Sequence, residues 1–315
     1  MAEPLRIASF NSALSREGPG LVLRDILNGQ DPQVQAVLAA LSEVAPDVIV
    51  LQKLDYDLEN RALHALAAAL ESSGGPAYPH LFALPGNAGL QSGVDLDGDG
   101  RRGGADDAQG YGRFFGQGGM AILSRHPIIE AEVQDHSTLL WRDLPGALLP
   151  GTVAEPFPNA EARAIQRLSS KGHWVVPIAP PGQPPLHLLT FHATPPVFDG
   201  PQDRNGRRNH DEVIFWQHYL DGAFETPPTE RFILLGDANL DPQHGDGRGA
   251  AIRALLNDAR LQDPLAGRET VTWPETGPMR VDYLLPSADW RVLDSGRHFA
   301  PQASRHALIW VDLAP

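Results

Sequence analysis

Hydrophobic residues along the chain fall in short runs of strand length, most of them apolar at every position. We predict strands at residues 5–10, 47–51, 120–124, 187–191, 232–235, 281–285 and 307–311. Strands that are apolar on both faces are covered on both sides in folded proteins. The pattern therefore predicts sheets that lie inside a layered structure.

A second pattern, with apolar residues three and four positions apart, predicts helices. Four segments have it: 33–44, 61–70, 211–220 and 250–256. Three segments rich in glycine, proline or charge are predicted as long loops: 85–110, 144–160 and 197–209. Because no repeat and no shift of composition marks a linker, we expect one α/β domain over residues 1–315.

The composition excludes several classes of protein. The 315 residues contain no cysteine, which excludes a disulfide scaffold, a thiolate zinc site and a cysteine nucleophile. With 39 acidic and 25 basic side chains the net charge is −14, which disfavours nonspecific DNA binding. No apolar run approaches the roughly 20 residues that span a bilayer. We expect a monomer without a transmembrane segment, and a periplasmic or secreted location slightly more than a cytoplasmic one.

Polar residues with catalytic chemistry stand at the ends of several predicted strands. Asn11 follows the first strand, His192 follows the fourth, and Asp237 and Asn239 follow the fifth. The two-residue spacing of Asp237 and Asn239 lets a carboxylate and an amide point the same way. A carboxylate can orient or deprotonate a water, and an amide can donate to a phosphoryl oxygen.

A carboxylate and an imidazole near the end of the chain suggest a second functional pair. Asp282 begins a predicted strand region and His306 precedes the last strand. A buried carboxylate on one imidazole nitrogen fixes the tautomer and raises the basicity of the other nitrogen. We therefore predict that Asp282 and His306 act together.

Six short stretches, in order along the chain, resemble the endonuclease/exonuclease/phosphatase superfamily of metal-dependent phosphoesterases. They are IASFN at 7–11, PDVIVLQ at 46–52, GMAILS at 119–124, GDAN at 236–239, RVDY at 280–283 and SRH at 304–306. Together they extend over nearly the whole chain. The resemblance implies a four-layered α/β sandwich of the pancreatic-deoxyribonuclease type, in which two packed mixed β-sheets are flanked by helices and the site lies at one edge.

The resemblance also implies a role for each strand-end residue and a cofactor. The cofactor would be Mg²⁺ or Mn²⁺, held through few carboxylates and several waters. The roles are metal and phosphate binding by Asn11, activation of the nucleophile and metal binding by Asp237, phosphoryl contacts by Asn239 and His192, and a carboxylate–imidazole pair of Asp282 with His306.

At two positions the sequence departs from the superfamily, and each departure replaces an acidic residue by a basic one. Lys53 stands after Gln52, where the superfamily has a metal-ligating glutamate. Arg305 stands before His306, where the superfamily has an aspartate. Because cations a few ångström away repel a divalent ion, metal binding at the usual place is in doubt.

Three interpretations of these replacements remain open. In the first, Asp55 or Asp57 supplies the missing metal ligand, with Asp55 on the same face as Lys53 if the strand continues. In the second, Lys53 and Arg305 bind the phosphate directly, and the metal is weakly held or unnecessary. In the third, catalysis is lost and the chain binds a ligand or a partner.

An acidic loop matches the opening of a calcium-binding loop. Asp95, Asp97 and Asp99 provide oxygens at positions one, three and five, Gly100 stands at position six, and Asp106 at position twelve. A structural Ca²⁺ site and a solvated acidic loop are both compatible with this pattern. If an ion binds, we expect it to order the loop.

Arginines near the predicted site are candidates for substrate binding. Arg204 and Arg207 belong to a basic run after His192, and Arg113 belongs to a glycine-rich segment. A local positive patch in an acidic protein favours capture of an anionic substrate. The alternative for the basic run is a helix approach in which Asn209 caps a helix beginning at residue 211.

From these observations we predict a phosphoric ester hydrolase that cleaves a phosphomonoester or phosphodiester by attack of an activated water. The net charge favours small or lipid-headgroup esters over duplex DNA. The alternative is a catalytically inactive family member that binds a ligand or a partner.

Overall fold

Two mixed β-sheets pack face to face at the centre of a computed structural model that describes residues 3–314. The strands in chain order are β1 (Leu5–Asn11), β2 (Val48–Leu54), β3 (His80–Phe82), β4 (Gly119–Ser124), β5 (Gln134–Asp135), β6 (His173–Ile178), β7 (Leu186–His192), β8 (Phe232–Asp237), β9 (Val271–Trp273), β10 (Gly277–Met279), β11 (Asp282–Pro286), β12 (Arg291–His298) and β13 (Leu308–Ala314). One sheet has the order β12-β13-β1-β2-β4-β3 and the other β11-β8-β7-β6-β5, while β9 and β10 form a separate hairpin.

Helices cover the outer faces of both sheets. They are α1 (Leu21–Asn28), α2 (Pro32–Val44), α3 (Arg61–Ser72), α4 (Ala160–Ile165), α5 (Arg204–Leu220) and α6 (Ala250–Leu256), with short 3₁₀ turns at Leu58–Asn60, Glu130–Glu132 and Trp141–Asp143. Of the helices within residues 3–314, none has both the length and the apolar character needed to cross a bilayer.

The alternation of side chains along each strand produces the layers. In β1, Ile7 faces the other sheet while Ala8 and Phe10 pack against the cluster formed with α1, α2 and α3. In the second sheet, Leu188 faces inward and Leu189 packs against the cluster formed with α5 and α6. The result is helix, sheet, sheet, helix, which confirms the predicted four-layered α/β sandwich with two packed mixed sheets.

The seven predicted strands and four predicted helices all exist, with bounds that differ at their ends. The apolar pattern did not predict the other six described strands. Four of these have only two or three residues: β3, β5, β9 and β10. The two longer ones are less uniform, because Pro177 interrupts the apolar run of β6 and β12 is polar along an edge of its sheet. The pattern also missed α1 and α4. One further difference is a correction: α5 begins at Arg204, so Asn209 lies inside the helix and does not cap it.

The sheet topology brings several strand ends to one place. β1 and β2 are parallel, with Asn11 opposite Gln52, and β7 and β8 are parallel, with His192 opposite Asp237. β11 runs antiparallel to β8, so that Asp282 begins its strand opposite Asp237. Because the two sheets pack face to face, the carboxyl ends of β1 and β8 meet.

Candidate active site

Six predicted residues meet at this edge of the paired sheets. We call them the strand-end cluster: Asn11, His192, Asp237, Asn239, Asp282 and His306. Asn239 is partly buried and the other five are buried. Hydrogen bonds and short contacts connect them, although Asn11 and His306 are 295 positions apart in the chain. The structure therefore brings together the residues that the sequence placed at separate strand ends.

Asp237 lies at the centre of the strand-end cluster. Its Oδ2 accepts a hydrogen bond from Nδ2 of Asn11 at 2.7 Å and lies 3.5 Å from Nε2 of His192. Its Oδ1 accepts from the backbone N–H of Asn239 at 2.8 Å. Gly236 immediately before it has a φ of 152°, and a Cβ there would collide with the carbonyl oxygen of Phe191. The strand that carries Asp237 therefore needs glycine at position 236 to approach β7.

The imidazole of His306 is held by a carboxylate on one side. Its Nδ1 lies 2.9 Å from Oδ2 of Asp282 and 4.0 Å from Oδ2 of Asp237, and its Nε2 lies 3.5 Å from Nδ2 of Asn11. Burial lowers the pKa of His306, but the charges of Asp282 and Asp237 together with the Asp282 hydrogen bond raise it more, so the net pKa lies above the ordinary value. The pair predicted for Asp282 and His306 is present in the structure.

His192 differs from His306 in its protonation. Burial lowers the pKa of His192 to about 3 although the carboxylate of Asp237 favours the protonated form, and the ammonium groups of Lys171 and Lys53 lower the pKa further. The site therefore contains one neutral imidazole and one that is readily protonated. In such a pair, the neutral His192 can donate a hydrogen bond to a bound group and His306 can accept a proton.

Lys53 lies at the site, at an irregular point of β2. Its φ is 57°, and the pairing of β2 with β4 shifts register between Gln52 and Leu54. This bulge takes Lys53 out of the regular alternation of the strand. Its ammonium is close enough to lower the pKa values of both His192 and His306.

Arg305 precedes His306 in the chain and contacts Trp273. Its guanidinium stands over the ring of Trp273 at 5.6 Å, and the same tryptophan packs edge-on against His306 at 5.6 Å. Trp273 was not predicted as a site residue from the sequence, where tryptophans without basic neighbours indicate packing. Its position is set by the pairing of Val271 with His306.

Asp55 has structural partners in this fold. β2 ends at Leu54, so Asp55 does not continue the strand face that begins with Lys53. Its Oδ2 accepts from the backbone N–H of Arg16 at 2.9 Å, and its Oδ1 accepts from that of Gly118 at 2.7 Å. Burial raises the pKa of the Asp55 carboxyl against these hydrogen bonds. Its role as a metal ligand stays a prediction.

Of the four arginines predicted to bind substrate, the three other than Arg305 contact other parts of the protein. Arg113 pairs with Glu17, Arg204 donates to the carbonyl of Leu96, and Arg207 donates to the carbonyl of Gln202 at 3.0 Å. None of these described contacts joins an arginine to the strand-end cluster. Substrate binding by these arginines stays a prediction.

The acidic loop gathers three of its four predicted carboxylates. Oxygens of Asp95, Asp97 and Asp99 lie within 4.8 Å of one another, whereas Asp106 is exposed and outside this group. Asp107 organises the loop instead, because its oxygens accept from the backbone N–H groups of Leu96 and Gly104, both at 2.9 Å. Calcium binding here stays a prediction.

Two further groups near the site were missed in the sequence. Lys171 precedes β6 and lies beside the end of β7, where its ammonium affects His192. In α5, the Asn209 amide donates to the carbonyls of Thr194 and Ala238, both at 2.7 Å. Neither has a local signal, because a single lysine or a polar residue in a helix is usually exposed.

The strand-end cluster includes donors that can hold a metal ion, but the surroundings oppose a firmly bound one. Ligand atoms of Asp237, Asp282 and His306 lie within 4.8 Å of one another. The Asp282 carboxylate already faces His306, and both oxygens of Asp237 accept hydrogen bonds. The positive charge of Lys53 is felt at His306, whose pKa it lowers, and it would likewise repel a cation bound there. The described residues therefore fit a divalent ion poorly.

Comparisons with known proteins agree with this geometry. A profile described as "Endonuclease/Exonuclease/phosphatase family" matches residues 9–306. No curated protein sequence matches the chain significantly. Among solved structures, an endonuclease/exonuclease/phosphatase from Beutenbergia cavernae has a TM-score of 0.62 at 17% identity, covering 99% of this chain and 72% of its own.

Two other similar structures carry more specific names. Sphingomyelinase C from Streptomyces griseocarneus has a TM-score of 0.54 at 17% identity, with 99% of this chain and 100% of that chain covered. A beta toxin variant from Staphylococcus aureus with bound magnesium ions has a TM-score of 0.53 at 14% identity, with 98% and 99% covered. These identities establish a shared fold only. Because the family profile extends from β1 to His306, the chain belongs to the endonuclease/exonuclease/phosphatase family.

Proposed function

We propose that this protein is a phosphoric ester hydrolase that cleaves a phosphomonoester or phosphodiester by attack of an activated water. Members of its family are generally phosphoric ester hydrolases. The observation that carries the proposal is the His306 imidazole, held by Asp282 at 2.9 Å and adjacent to Asp237. An imidazole in this setting can take a proton from a nucleophile while the carboxylate stabilises its charge.

Each residue of the strand-end cluster has a proposed role in the hydrolysis. Nε2 of His306 accepts the proton of a water whose oxygen bonds to phosphorus, and the bond from phosphorus to the leaving oxygen breaks. The leaving oxygen takes a proton from solvent. The amides of Asn11 and Asn239 and the neutral His192 stabilise charge on the equatorial oxygens. Asp237 orients the attacking water.

The proposal also concerns the requirement for Mg²⁺ or Mn²⁺, the class of substrate and the location of the protein. The magnesium in the similar beta toxin supports a metal requirement, and the position of Lys53 opposes one. Small or lipid-headgroup esters are favoured over duplex DNA because the net charge is −14. The similar sphingomyelinase supports the lipid-headgroup class.

Hydrolysis of p-nitrophenyl phosphate and bis-p-nitrophenyl phosphate tests the proposal. Each is assayed with Mg²⁺, Mn²⁺, Ca²⁺ or a chelator. His306→Ala and Asp237→Ala should each lower kcat by about 100-fold or more, because each removes a group that acts on the water. The controls are His64→Ala and Asp143→Ala, which remove exposed side chains of the same types.

Absence of turnover under all of these conditions would contradict the proposal. It would favour the alternative of a family member that binds a phosphorylated ligand or a partner without hydrolysis. This alternative is supported by Lys53 and Arg305, which stand where the superfamily has acidic residues.

A further inference from the structure

A buried carboxylate of α5 joins two backbone segments beside the strand-end cluster. The side chain is that of Glu212, which is fully buried. Its Oε1 accepts a hydrogen bond from the backbone N–H of Ser170 at 2.5 Å, and its Oε2 accepts one from that of Thr194 at 2.6 Å. Both oxygens therefore act as acceptors, as they do in an ionised carboxylate. Burial raises the pKa of this carboxyl, whereas the charge of Arg208 and the two N–H groups favour the ionised form.

The two segments that Glu212 joins lie directly beside His192. Thr194 follows His192 by two residues, after the end of β7. Ser170 precedes β6, the strand that pairs with β7, and its Oγ lies 3.5 Å from the carbonyl oxygen of His192. The Glu212 carboxylate therefore connects the backbone that carries His192 to the neighbouring segment before β6.

The imidazole of His192 has few polar contacts of its own. Its Nε2 lies 3.5 Å from Oδ2 of Asp237, and its buried Nδ1 has no hydrogen-bond partner in the part of the chain that the structure describes. The N–H of the next residue, Ala193, donates to the carbonyl of Asp237 at 2.9 Å. The ring therefore takes its position from packing and from the backbone that carries it.

A carboxylate suits this connection better than an amide does. Each oxygen of a carboxylate accepts hydrogen bonds, whereas the amide of glutamine has one accepting oxygen and one donating NH₂ group. An amide at position 212 would direct its NH₂ group at one of the two backbone N–H groups and lose that hydrogen bond. Hydrogen bonds to a charged acceptor are also shorter and stronger than those to a neutral one.

We propose that Glu212 is a positioning residue for His192: its carboxylate fixes the segments before β6 and after β7, so that the imidazole is held where it can donate to a phosphoryl oxygen. This inference rests on the hydrolysis proposed above. It assigns Glu212 no contact with the substrate, and no additional bond is made or broken.

The amide protons of Ser170 and Thr194 test the two hydrogen bonds in the unmodified protein and without turnover. Both should resonate downfield in NMR spectra and exchange slowly with solvent, because a short hydrogen bond to a buried carboxylate protects them. Exchange of either amide as fast as that of an exposed loop would overturn the proposal. This measurement decides the question even if variants at position 212 fold poorly.

The ring of His192 supplies a second measurement that needs no turnover. Its ¹³C signal, identified by its loss in His192→Ala, should broaden or split in Glu212→Gln because the ring is no longer held in one position. The matched control is Asp211→Ala, which removes another buried carboxylate of α5 that accepts from Nε1 of Trp141 and from the N–H of Leu148, both at 2.6 Å. Asp211→Ala should leave the His192 signal unchanged. An unchanged signal in Glu212→Gln would overturn the proposal.

A double-mutant cycle tests whether Glu212 acts through His192. Glu212→Gln should lower kcat for bis-p-nitrophenyl phosphate about tenfold and change KM by less than about twofold. In a His192→Ala background, the same substitution should lower kcat by less than about twofold. Equal tenfold losses in both backgrounds would overturn the proposal, because the effect would then be independent of His192.

Failure of this inference and failure of the proposed hydrolase give different results. Protected amides and a changed His192 signal in a protein without turnover would contradict the hydrolase and leave the positioning of His192 by Glu212 intact. Turnover that depends on His306 but is unaffected by Glu212→Gln would contradict the inference and leave the hydrolase intact.

Discussion

Residue 53 illustrates how one side chain changes the electrostatics of the site. Lys53 occupies a left-handed conformation at a bulge, an arrangement that costs a non-glycine residue about 1–2 kcal/mol. Strain of this kind persists where the surrounding structure determines it, often at functional sites. The bulge takes residue 53 out of the regular alternation of the strand, and its positive charge lowers the pKa values of His192 and His306.

Restoring an acidic residue at this position should change the cation requirement. Lys53→Glu replaces the ammonium group by a carboxylate at the end of β2, where the superfamily has a metal-ligating glutamate, so we expect kcat/KM with Mg²⁺ or Mn²⁺ to rise about tenfold or more above its value in a chelator. The measurement is kcat/KM across a metal titration, with Arg125→Glu as the control. Equal rates with and without metal in Lys53→Glu would contradict this prediction.

Asp55 should matter for stability. Asp55→Ala leaves the backbone N–H groups of Arg16 and Gly118 without their acceptor, which we expect to cost about 2 kcal/mol in the free energy of unfolding. Urea unfolding measures the change. Asp143→Ala, at a side chain 54% exposed, should change stability by less than about 0.5 kcal/mol. If Asp55→Ala instead lowered the activation by metal while leaving the free energy of unfolding unchanged, the result would support Asp55 as a metal ligand.

At the scale of the element, α5 connects the loops that carry the site. Asn209 binds the carbonyls of Thr194 and Ala238, which follow β7 and β8. The carboxylate of Glu212 accepts from the N–H groups of Ser170 and Thr194, at 2.5 and 2.6 Å. One face of this helix therefore positions the segments next to His192, Asp237 and Lys171.

Loss of the Asn209 side chain should affect stability and catalysis together. Asn209→Ala leaves two carbonyls without their donor, so we expect about 2 kcal/mol less stability and a lower kcat because the segments after β7 and β8 are less well held. Asn205→Ala is the matched control on the same helix, since it removes a hydrogen bond to the carbonyl of Val197. Similar kcat values in both variants would argue against a positioning role.

At the scale of the whole molecule, several buried and partly buried histidines make the fold sensitive to acid. Burial lowers the pKa values of His126, His136 and His187, and lowers that of His173 to about 3. Unfolding exposes these imidazoles, which then take up protons. His306 has the opposite shift, because its raised pKa favours the protonated folded state.

His173 gives a specific pH dependence. Its pKa is about 3 when folded and 6.5 in the absence of burial, so between these values only the unfolded chain binds the proton. The contribution of His173 to the free energy of unfolding should therefore fall as the pH decreases through this range, by about 1.4 kcal/mol per unit at most. The measurement is the urea midpoint of wild type and of His173→Gln at several pH values. The midpoint should change less with pH in His173→Gln than in wild type. His64→Gln should keep the wild-type slope.

The apolar pattern was sufficient to predict the layers, but polar segments with a buried face were difficult to interpret. Residues 5–10 and 232–235 are mainly apolar, which is typical of covered strands, and both form inner strands of their sheets. The start of α5 was placed seven residues late, because Arg208, Asn209 and Glu212 are buried although they are polar. Their burial depends on partners in distant loops.

The sequence by itself determined the segments with a regular apolar pattern that form core strands and helices, and which side chains are available for catalysis. These properties depend on residue type and local spacing. Only the tertiary structure decided that Asn209 binds the carbonyls of two distant loops, that Asp55 binds backbone N–H groups, and that Trp273 packs against His306. Such contacts depend on strand register and sheet packing between residues as far apart as the 226 positions from Asn11 to Asp237, which no local pattern encodes.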